Sequence, residues 1–461
     1  MNQYTRLLAS VCIALASEVV SAAEVPVATP AELLHAVEKA KPGDTIMLGD
    51  GDWNDVIIRM TRDGTPEQPV TIAAKTPGKA VLRGSSRVLL DAKHVVARGL
   101  RFAGESKRAG GVRGAAVEFT EKSDHCRLTQ CAIDGYDVAG GVRDNWVNIW
   151  GTHNRVDHFA FLNKGNVGEL LRVRRDENRS DKHRIDHNYF GPRPPVKGNG
   201  GETIQIGLKE QQFTESNSVV EHNLFEECDG EIELMSVKSS GNAIRHNTML
   251  RCASRITLRH GSNNRVEGNF IVGDGKAGTG GVRVYGKDHV VTQNFVTGTA
   301  GTGDQGGAIN LHSGDNSDPR EVPANGVAAQ NCTVSSNTLV NNRTGIVIGS
   351  GKVVAPSNVT LTNNLVVTGA GTLLDLRAKD PVVKFGGNVF FGGDAGVEFD
   401  GITYADPKLT KTTAEGYPYF KPAADSAAND IGETAFRSDK LKPMKRGDVG
   451  PAWMGGPSDA Q

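Results

Sequence analysis

A short phrase centred on asparagine recurs along the sequence and constrains the fold more than any other feature. Successive copies are 35, 24, 22, 25, 43, 27 and 24 residues apart, and they are centred on Asn188, Asn223, Asn247, Asn269, Asn294, Asn337, Asn364 and Asn388. The floor near 22 residues, with occasional longer steps, is typical of a coil of three short strands with loops inserted at one corner. Propeller blades and helical repeats usually have longer periods. We therefore predict an all-β chain folded as a single-domain right-handed parallel β-helix.

Asparagine at a repeated corner has two physical explanations. Its side chain tolerates the left-handed backbone conformation, and its amide hydrogen-bonds to the same group one coil above. The alternative, that asparagine only marks loops, fits less well because loop asparagines need not keep a period. The sequence therefore predicts a ladder of stacked asparagines along one corner.

The first residues resemble an export signal. Arg6 precedes an apolar stretch, and Ser21, Ala22 and Ala23 form a small-residue cleavage site. This predicts export to the periplasm or the extracellular medium. No later segment approaches the roughly 20 apolar residues that a membrane-spanning helix needs, so we expect no membrane partner.

A helix is predicted where the repeat begins. Thr29 to Glu32 form a capping box with proline at the first helical position, and Leu33, Leu34 and Val37 give the following helix an apolar face. Because a solenoid must cover its open ends, we expect this helix to cap the N-terminal end.

A length of 461 residues would ordinarily suggest two or three domains, but one solenoid can run this long. We expect a signal peptide at 1–23, an N-terminal cap at 24–50, the catalytic β-helix at 51–400 and a closing segment at 401–461. One long insertion, from Ser313 to Asn331, accounts for the 43-residue step and is a candidate lid or substrate loop.

Composition limits the kinds of partner. Lysine plus arginine (52) balances aspartate plus glutamate (53), so no global field favours nucleic acid, and recognition of an anion requires a local basic patch. Past the signal there is an odd number of cysteines without a CxxC pair, which argues against a disulfide framework and a zinc site and favours small buried hydrophobes: Cys126, Cys131, Cys228, Cys252 and Cys332. One disulfide remains an alternative.

Aligning the coils on their asparagines places one strand of each coil in a common sheet. Because side chains alternate along a strand, Val, Ile and Leu should point inward and the intervening residues outward. The predicted outward column is Arg172, Gln205, Glu233, Thr257, Arg283 and Asn310, with Glu231 and Arg255 beside it, and Arg174, Arg259, Tyr285 and His312 on the other flank. Coils about 4.8 Å apart would bring several of these groups within reach of one sugar chain.

Glu231 and Glu233 are two residues apart on this face, roughly 6.5 Å along the strand. Two carboxylates this close repel unless a cation lies between them. Carboxylate and amide oxygens suit a hard cation such as Ca²⁺, and Asn199 and Glu202 in the preceding coil could complete the site. The alternative is a pair of solvated surface glutamates.

Lys238 follows this strand, and Arg259 comes from the next coil. A lysine is a useful base only where neighbouring cations favour the neutral amine, and a metal ion, Arg255 and Arg259 would do so. An isolated lysine on a β-helix is usually a solvated charge. The combination with the acidic pair therefore makes Lys238 a candidate base.

These groups suit β-elimination from a uronic acid. The C5 hydrogen is α to a carboxylate, so its removal needs that carboxylate neutralised by a metal or arginine, and then a base. Lys238 would take the C5 proton, and Arg259 is placed to help the leaving O4. Arginine donates protons reluctantly, so His260 or a water molecule is a competing proton donor.

Five segments in order resemble polysaccharide lyase family 6, which comprises alginate lyases and chondroitinase B. They are Asn199 to Ile204, Cys228 to Glu233, Val237 to Ser239, Leu258 to Gly261 and Gly280 to Arg283. The resemblance covers essentially the whole chain after the signal. We expect the second β-helix domain that some members carry to be absent.

This resemblance implies a parallel β-helix with Ca²⁺ held by Asn199, Glu231 and Glu233. It further implies a base at Lys238 and an acid at Arg259. Sugar contacts are implied at Arg172, Arg283 and His260. Most of the family acts on alginate, so alginate is the favoured substrate by association and dermatan or chondroitin sulfate the alternative.

Two other functions remain open at this stage. A β-helix glycoside hydrolase would use Glu231 and Glu233 as paired carboxylates, although it has no use for Lys238. A non-catalytic adhesion β-helix would tolerate loss of both Lys238 and Arg259.

Overall fold

A computed structural model describes residues 22–457, apart from 112, 176–178, 304–305, 316–325, 351, 397 and 435. Three long parallel sheets surround one apolar core, which confirms the predicted right-handed parallel β-helix. Most of the predicted signal peptide, and most of the candidate lid between Ser313 and Asn331, lie outside the described residues.

Each complete coil contributes one strand to each sheet, and the incomplete terminal coils add further strands to sheets 1 and 3. Sheet 1 has 14 strands: Glu24–Val27, Thr45–Leu48, Val70–Ala74, Val95–Arg98, Arg127–Thr129, Arg155–Asp157, Arg184–Asp186, Val219–Glu221, Ala243–Arg245, Arg265–Glu267, Val290–Thr292, Thr333–Ser335, Val359–Thr362 and Val383–Gly386. Sheet 2 has 12 strands: Ile57–Met60, Arg87–Leu90, Val117–Phe119, Val147–Ile149, Leu171–Val173, Ile204–Ile206, Glu233–Val237, Arg255–Leu258, Val282–Val284, Ile309–Leu311, Thr344–Ile348 and Thr372–Leu376. Sheet 3 has 14 strands: Gly51–Asn54, Ala80–Gly84, Arg101–Ser106, Ala132–Asp134, Ala160–Leu162, Tyr189–Phe190, Leu224–Glu226, Thr248–Leu250, Phe270–Val272, Phe295–Thr297, Thr338–Val340, Leu365–Val367, Asn388–Phe391 and Ile402–Tyr404.

The corner between sheets 1 and 3 carries the predicted asparagine ladder. The backbone N–H and the side-chain amide of Asn223 donate to Oδ1 of Asn247 at 3.1 and 2.9 Å. Side-chain bonds of this kind link every step from Asn188 to Asn388. Because each buried amide is satisfied by the next coil, the ladder sets the stacking of the coils.

The left-handed backbone falls on the residue before each ladder asparagine. His222 has a φ of 53° and His246 a φ of 56°, whereas Asn223 and Asn247 keep negative φ values. The expectation that asparagine is selected for left-handed backbone is therefore wrong at the ladder positions. Its amide hydrogen bonds are the reason that asparagine recurs.

The predicted N-terminal cap is an α-helix, Pro30–Lys39. Both bonds of the capping box are present, since Thr29 accepts from the N–H of Glu32 and the Glu32 side chain accepts from the N–H of Thr29. Leu33 and Val37 are buried against the first coils, as predicted, but Leu34 is 57% exposed. The helix is short, and only one narrow stripe of it contacts the core.

The C-terminal segment runs back along the outside of sheet 3. A hairpin of two antiparallel strands, Leu409–Ala414 and Tyr417–Pro422, is followed by turns and by short 3₁₀ helices at Arg446–Asp448 and Ala452–Met454. Other 3₁₀ helices lie at Ala139–Gly141 and Lys209–Gln211. Tyr419, Phe436, Met444 and Val449 are buried against an apolar band on sheet 3. The segment thereby covers a face that would otherwise expose apolar surface.

The five cysteines among the described residues are buried thiols that form no disulfide, as favoured from the sequence. Burial raises the pKa of the Cys332 thiol to about 11, so it behaves as a small hydrophobe and not as a nucleophile. In the described part of the chain, no helix is both long enough and apolar enough to cross a membrane.

Candidate active site

The outward face of sheet 2 carries the site, and its central strand contains a bulge. Sheet 2 pairs Gln205 with Ser236, and Ser236 with Thr257. Glu233 instead pairs with Arg255, and the register shifts between Glu233 and Met235. Ser236, and not Glu233, therefore occupies the predicted outward column, which otherwise runs through Arg172, Gln205, Thr257, Arg283 and Asn310 as expected.

The bulge explains why strict alternation predicted Glu233, instead of Ser236, in the outward column. Leu234 and Met235 are consecutive, yet both are buried in the core, so strict alternation fails between them. The extra residue lets Glu233 face outward although it precedes Ser236 by three positions. Ser236 donates a short hydrogen bond to a Glu233 carboxylate oxygen. The displaced glutamate is thereby fixed at the edge of the outward column.

Three carboxylates meet beside the bulge. Glu202, Glu231 and Glu233 each contribute an oxygen, and these oxygens all lie within 4.8 Å of one another. Glu231 accepts hydrogen bonds from the N–H groups of Gly200 and Gly201 at 2.8 and 3.0 Å. The structure thus brings together three of the four predicted metal ligands.

Glu202 is the most deeply placed of the three. It is buried, and its Oε2 has no hydrogen-bond partner within the described residues. Burial, then the charges of Glu231 and Glu169, raise the pKa of Glu202 to about 7, although Lys238 opposes the rise. An orphaned carboxylate oxygen between two other carboxylates fits a hard divalent cation.

Asn199, the fourth predicted ligand, is exposed at the rim. It directly precedes Gly200, whose N–H contacts Glu231. Its position in the chain therefore keeps it next to the acidic cluster, defined here as Glu202, Glu231 and Glu233.

Two close backbone contacts bring the acidic cluster together. A β-carbon on Gly201 would lie 2.4 Å from the carbonyl oxygen of Gly230, and one on Gly230 would lie 2.3 Å from the carbonyl oxygen of Gly201. Only glycine allows this approach, which brings Glu202 and Glu231 from adjacent coils side by side.

Arg193, which the sequence did not single out, holds the same loop from below. Its buried guanidinium donates to the carbonyls of Gly201 and Glu202 at 2.7 and 2.8 Å, and to those of Asn166 and Gly168 at 2.9 and 2.8 Å. It therefore ties two coils together beneath the acidic cluster. Its sequence context, a turn after a strand, carries no signal of this role.

Lys238 and Arg259 flank the acidic cluster. Nζ of Lys238 lies 3.9 Å from Oε1 of Glu202, and Nε of Arg259 lies 3.6 Å from Oε1 of Glu233. Both side chains are less than one-fifth exposed, at 19% and 18%. The candidate base and the candidate acid therefore line the same partly enclosed surface.

His260 is buried next to Arg259. Burial, then the charges of Arg259 and Lys238, lower the pKa of His260 to about 3, so the imidazole is neutral near pH 7. Few His260 rings therefore carry the proton that a leaving group would need near neutral pH.

The predicted flank of aromatic and basic groups is present. The guanidinium carbon of Arg259 lies 4.8 Å, and that of Arg283 5.4 Å, from the ring centroid of Tyr285. The rings of Tyr285 and His312 are 4.1 Å apart, and Ser350 Oγ is 2.8 Å from Nδ1 of His312. Arg283 also forms a short ion pair with Glu233.

A second group of cationic side chains lies around the strand Leu171–Val173, one coil before the strand that follows Glu202. Arg172 and Arg143 both reach Glu169, at 3.3 and 2.6 Å. Arg174 lies over Trp150, 5.9 Å from the ring centroid, and burial, then the charge of Arg172, lower its pKa to about 10. Arg143 and Glu169 are further residues that the sequence did not reveal.

Cationic side chains also lie close together on the C-terminal side of the acidic cluster, where Arg255 and Arg283 come from neighbouring strands of sheet 2. Burial, then the charge of Arg283, lower the pKa of Arg255 to about 9. Burial is the larger cause of this shift, and the neighbouring guanidinium of Arg283 adds to it. Arg172, Arg255, Arg259 and Arg283 all lie on or beside this one face, so it carries the local group of cations that an anionic polymer requires despite the balanced net charge.

A family model described as Chondroitinase B matches residues 27–369. The fold is similar to that of the polysaccharide lyase family 6 alginate lyase AlyGC, with 32% identity and a TM-score of 0.84, covering 94% of this chain and 59% of that one. The chain therefore spans 59% of the length of AlyGC.

Two further solved structures cover most of their own length. A mannuronic acid specific family 6 lyase from human gut microbiota is 28% identical, with a TM-score of 0.72 over 83% of this chain and 91% of that one. The family 6 lyase Pedsa3628 from Pseudopedobacter saltans is 25% identical, with a TM-score of 0.70 over 93% and 99%. No curated protein sequence matches the chain.

Proposed function

The chain belongs to polysaccharide lyase family 6, the family of chondroitinase B, and from this premise we propose that it cleaves an anionic polysaccharide by calcium-assisted β-elimination. The observation that carries the proposal is the placement of Lys238 and Arg259 at 3.9 and 3.6 Å from two members of one acidic cluster. A base, a cation site and a cationic group for the leaving oxygen are thereby supplied on one surface.

Alginate is the substrate that we propose first. AlyGC is an alginate lyase and the gut enzyme is mannuronic acid specific, and both resemble this chain over most of its length. Dermatan or chondroitin sulfate is the second candidate, because the matching family model is that of chondroitinase B.

The cation is proposed to be Ca²⁺, held by Glu202, Glu231, Glu233 and Asn199. Oxygen ligands of this kind suit a hard cation, and the unpartnered Oε2 of Glu202 supports the assignment. When bound, such an ion would neutralise the substrate carboxylate and so make the C5 hydrogen more acidic. Glu233 would have to exchange part of its contact with Arg283 for the ion.

The protein's own residues then divide the remaining steps. The neutral amine of Lys238 takes the C5 proton, the C5–H electron pair forms the C4=C5 double bond, and the C4–O4 bond breaks. The departing O4 receives a proton from water held at Arg259 or from Arg259 itself. Arg172, Arg283, Tyr285 and His312 are proposed to hold the neighbouring sugars.

The test is product analysis on block-defined alginates and on dermatan sulfate. Elimination gives a conjugated unsaturated uronate that absorbs ultraviolet light, whereas hydrolysis by Glu231 and Glu233 would not. Absorbing products from alginate support the proposal, and products only from dermatan sulfate support the second candidate. Cleavage without absorbance would overturn β-elimination, and no cleavage of either polymer would favour the adhesion alternative.

Export to the periplasm or the medium is part of the proposal. It is supported by the signal-like residues 1–23, of which 1–21 lie outside the described residues. N-terminal sequencing of the protein recovered outside the cytoplasm should give a start near Ala23 or Glu24, and recovery of uncleaved cytoplasmic protein would contradict it.

A further inference from the structure

A column of histidines lies at the corner between sheets 1 and 3, away from sheet 2. The rings of His158 and His187 are 5.2 Å apart and nearly parallel, and His187 and His222 repeat this geometry. The fourth ring, that of His246, is 5.1 Å from His222 but tilted by 60°. The regular stack therefore ends at His222.

The hydrogen bonds of the column change at the same point. Nδ1 of His158 lies 2.7 Å from Asp157, and Nδ1 of His187 lies 2.8 Å from Asp186. The corresponding distance from His222 to Glu221 is 3.9 Å, too long for a hydrogen bond.

The carboxylate of Glu221 is turned toward two arginines instead. Its Oε1 accepts from Arg184 at 2.8 Å and its Oε2 accepts from Arg245 at 2.7 Å. Nδ1 of His222 and Nδ1 of His246 are both buried, with no hydrogen-bond partner among the described residues. Two unsatisfied imidazole nitrogens next to one carboxylate require an explanation, because buried polar atoms are normally paired.

We propose that Glu221, His222 and His246 form a second metal site, which binds a borderline divalent transition-metal ion of the Zn²⁺ type. One ligand atom from each residue lies within 4.8 Å of the other two. Imidazole nitrogen with a carboxylate oxygen is the donor set of Zn²⁺, in contrast to the all-oxygen cluster on sheet 2.

The surroundings support this assignment. The unpartnered Nδ1 atoms of His222 and His246 come from adjacent coils and lie on the same side of the corner as the Glu221 carboxylate. The carboxylate has further lone pairs beyond those used by Arg184 and Arg245, and hydrogen bonds of this kind orient a ligating carboxylate.

The ion also has a route of entry. His222 lines a cavity of about 790 Å³ between the histidine column and the C-terminal segment, where water could complete the coordination. Leu441 of that segment lies near His246, because a β-carbon on Gly268 would lie 2.9 Å from Leu441 and 2.7 Å from His246. A bound ion would therefore cross-link two coils directly beneath the C-terminal segment.

The experiment titrates Zn²⁺ into the chelator-treated full chain in the presence of excess Ca²⁺, with a chromophoric zinc chelator as competitor. All proteins in this titration also carry Glu231→Gln, and this change together with the excess Ca²⁺ keeps the acidic cluster from binding zinc. We expect one zinc ion per chain, and at least a 100-fold loss of affinity in His222→Gln and in His246→Gln. His158→Gln, in the same column but outside the proposed site, is the matched control. It should bind zinc with the same affinity as the protein in which the three histidines are unchanged.

Equal zinc affinity in the unchanged protein and both variants would overturn the proposal, as would equal loss in His158→Gln. Zinc protection of His222 and His246 from carbethoxylation in the unchanged protein provides a second measurement, which does not depend on variants that fold poorly. Absence of such protection at saturating Zn²⁺ would also overturn it.

Discussion

Nζ of Lys238 lies 3.9 Å from Oε1 of Glu202, a buried carboxylate whose other oxygen has no hydrogen-bond partner in the described structure. The candidate base and the candidate metal site therefore share one residue. Without a cation, Glu202 is an ion-pair partner for the lysine ammonium. With a cation bound, that carboxylate is occupied, so metal binding and base function are expected to depend on each other.

Replacement of Lys238 by alanine should abolish most turnover. Loss of a general base costs about 100- to 10,000-fold in rate, and Lys238 is the lysine that an ion pair places against the acidic cluster. Ultraviolet absorbance on alginate measures the loss. Lys384→Ala, an exposed lysine on sheet 1, is the control and should retain full activity. Near-normal turnover in Lys238→Ala would exclude this lysine as the base.

Arg259 and His260 should differ in their contribution to the rate. Arg259→Ala removes a cation beside the leaving oxygen and should cost about 100-fold in kcat. His260→Gln should cost less than about tenfold, because an imidazole with a pKa near 3 donates few protons near neutral pH. Steady-state kinetics on one defined alginate compares them, and the reverse order would assign the proton donor to His260.

Removal of the metal should inactivate the enzyme reversibly. Chelation should lower the rate about 100-fold, since the substrate carboxylate loses its main electrostatic partner. Added Ca²⁺ should restore it, but not in Glu231→Gln. An unchanged rate after complete metal removal, verified by elemental analysis, would remove the calcium role from the acidic cluster.

Arg193→Lys should weaken calcium binding while leaving the chemistry intact. Lysine cannot reproduce the four hydrogen bonds that tie the backbone of Gly201 and Glu202 to that of Asn166 and Gly168, so we expect about a 10- to 100-fold loss of affinity for the ion. The kcat at saturating Ca²⁺ should recover. Arg265→Lys, a surface arginine paired with Glu267, is the control. A loss of kcat that calcium does not restore would indicate a general structural defect instead.

Two buried histidines should make the fold sensitive to acid. Nδ1 of His183 accepts the N–H of Asn154 at 3.2 Å, and Nδ1 of His289 accepts the N–H of Asn264 at 3.1 Å, so both rings must stay unprotonated there. Burial lowers the pKa of His183 to about 3 and that of His289 to about 4.

The folded-state pKa values lie below the unfolded value near 6.5, so the unfolded chain binds more protons between those limits. The contribution of His183 and His289 to the free energy of unfolding is therefore complete above about pH 6.5. It falls as the pH decreases, by about 1.4 kcal/mol per pH unit for each histidine. Urea unfolding at pH 7 and pH 5 should show a smaller pH difference in the His183→Asn, His289→Asn double variant. An equal difference in both proteins would contradict this.

Much of the fold was predictable because the repeat is local. The positions of Asn188 to Asn388 reveal the coil length, and apolar–polar–apolar triplets such as Ile204-Gln205-Ile206 show which side chains face the core. Each coil stacks on its neighbour in the same register. The sequence repeat therefore also predicted which residues of neighbouring strands pair in most of sheet 2.

The alignment failed at the central strand of sheet 2, because that strand contains the bulge. The triplet Met235-Ser236-Val237 fits the repeat, and this was the available signal that Ser236 belongs in the outward column. Glu233 faces outward only because one extra residue is buried before that triplet, and alternation alone does not indicate where a strand admits an extra residue.

The repeat and its apolar pattern were enough to predict the coiled architecture, the asparagine ladder, the capping helix and the candidate residues on one face. How the acidic cluster closes, with Gly201 against Gly230 and Arg193 beneath both, became evident only from the folded coils. The fold likewise places Nδ1 of His222 and Nδ1 of His246 beside Glu221 with no hydrogen-bond partner in the described part of the chain. The physical reason is that periodicity reports which residues share a face, whereas distances between side chains of different coils depend on bulges, close backbone contacts and competing ion pairs.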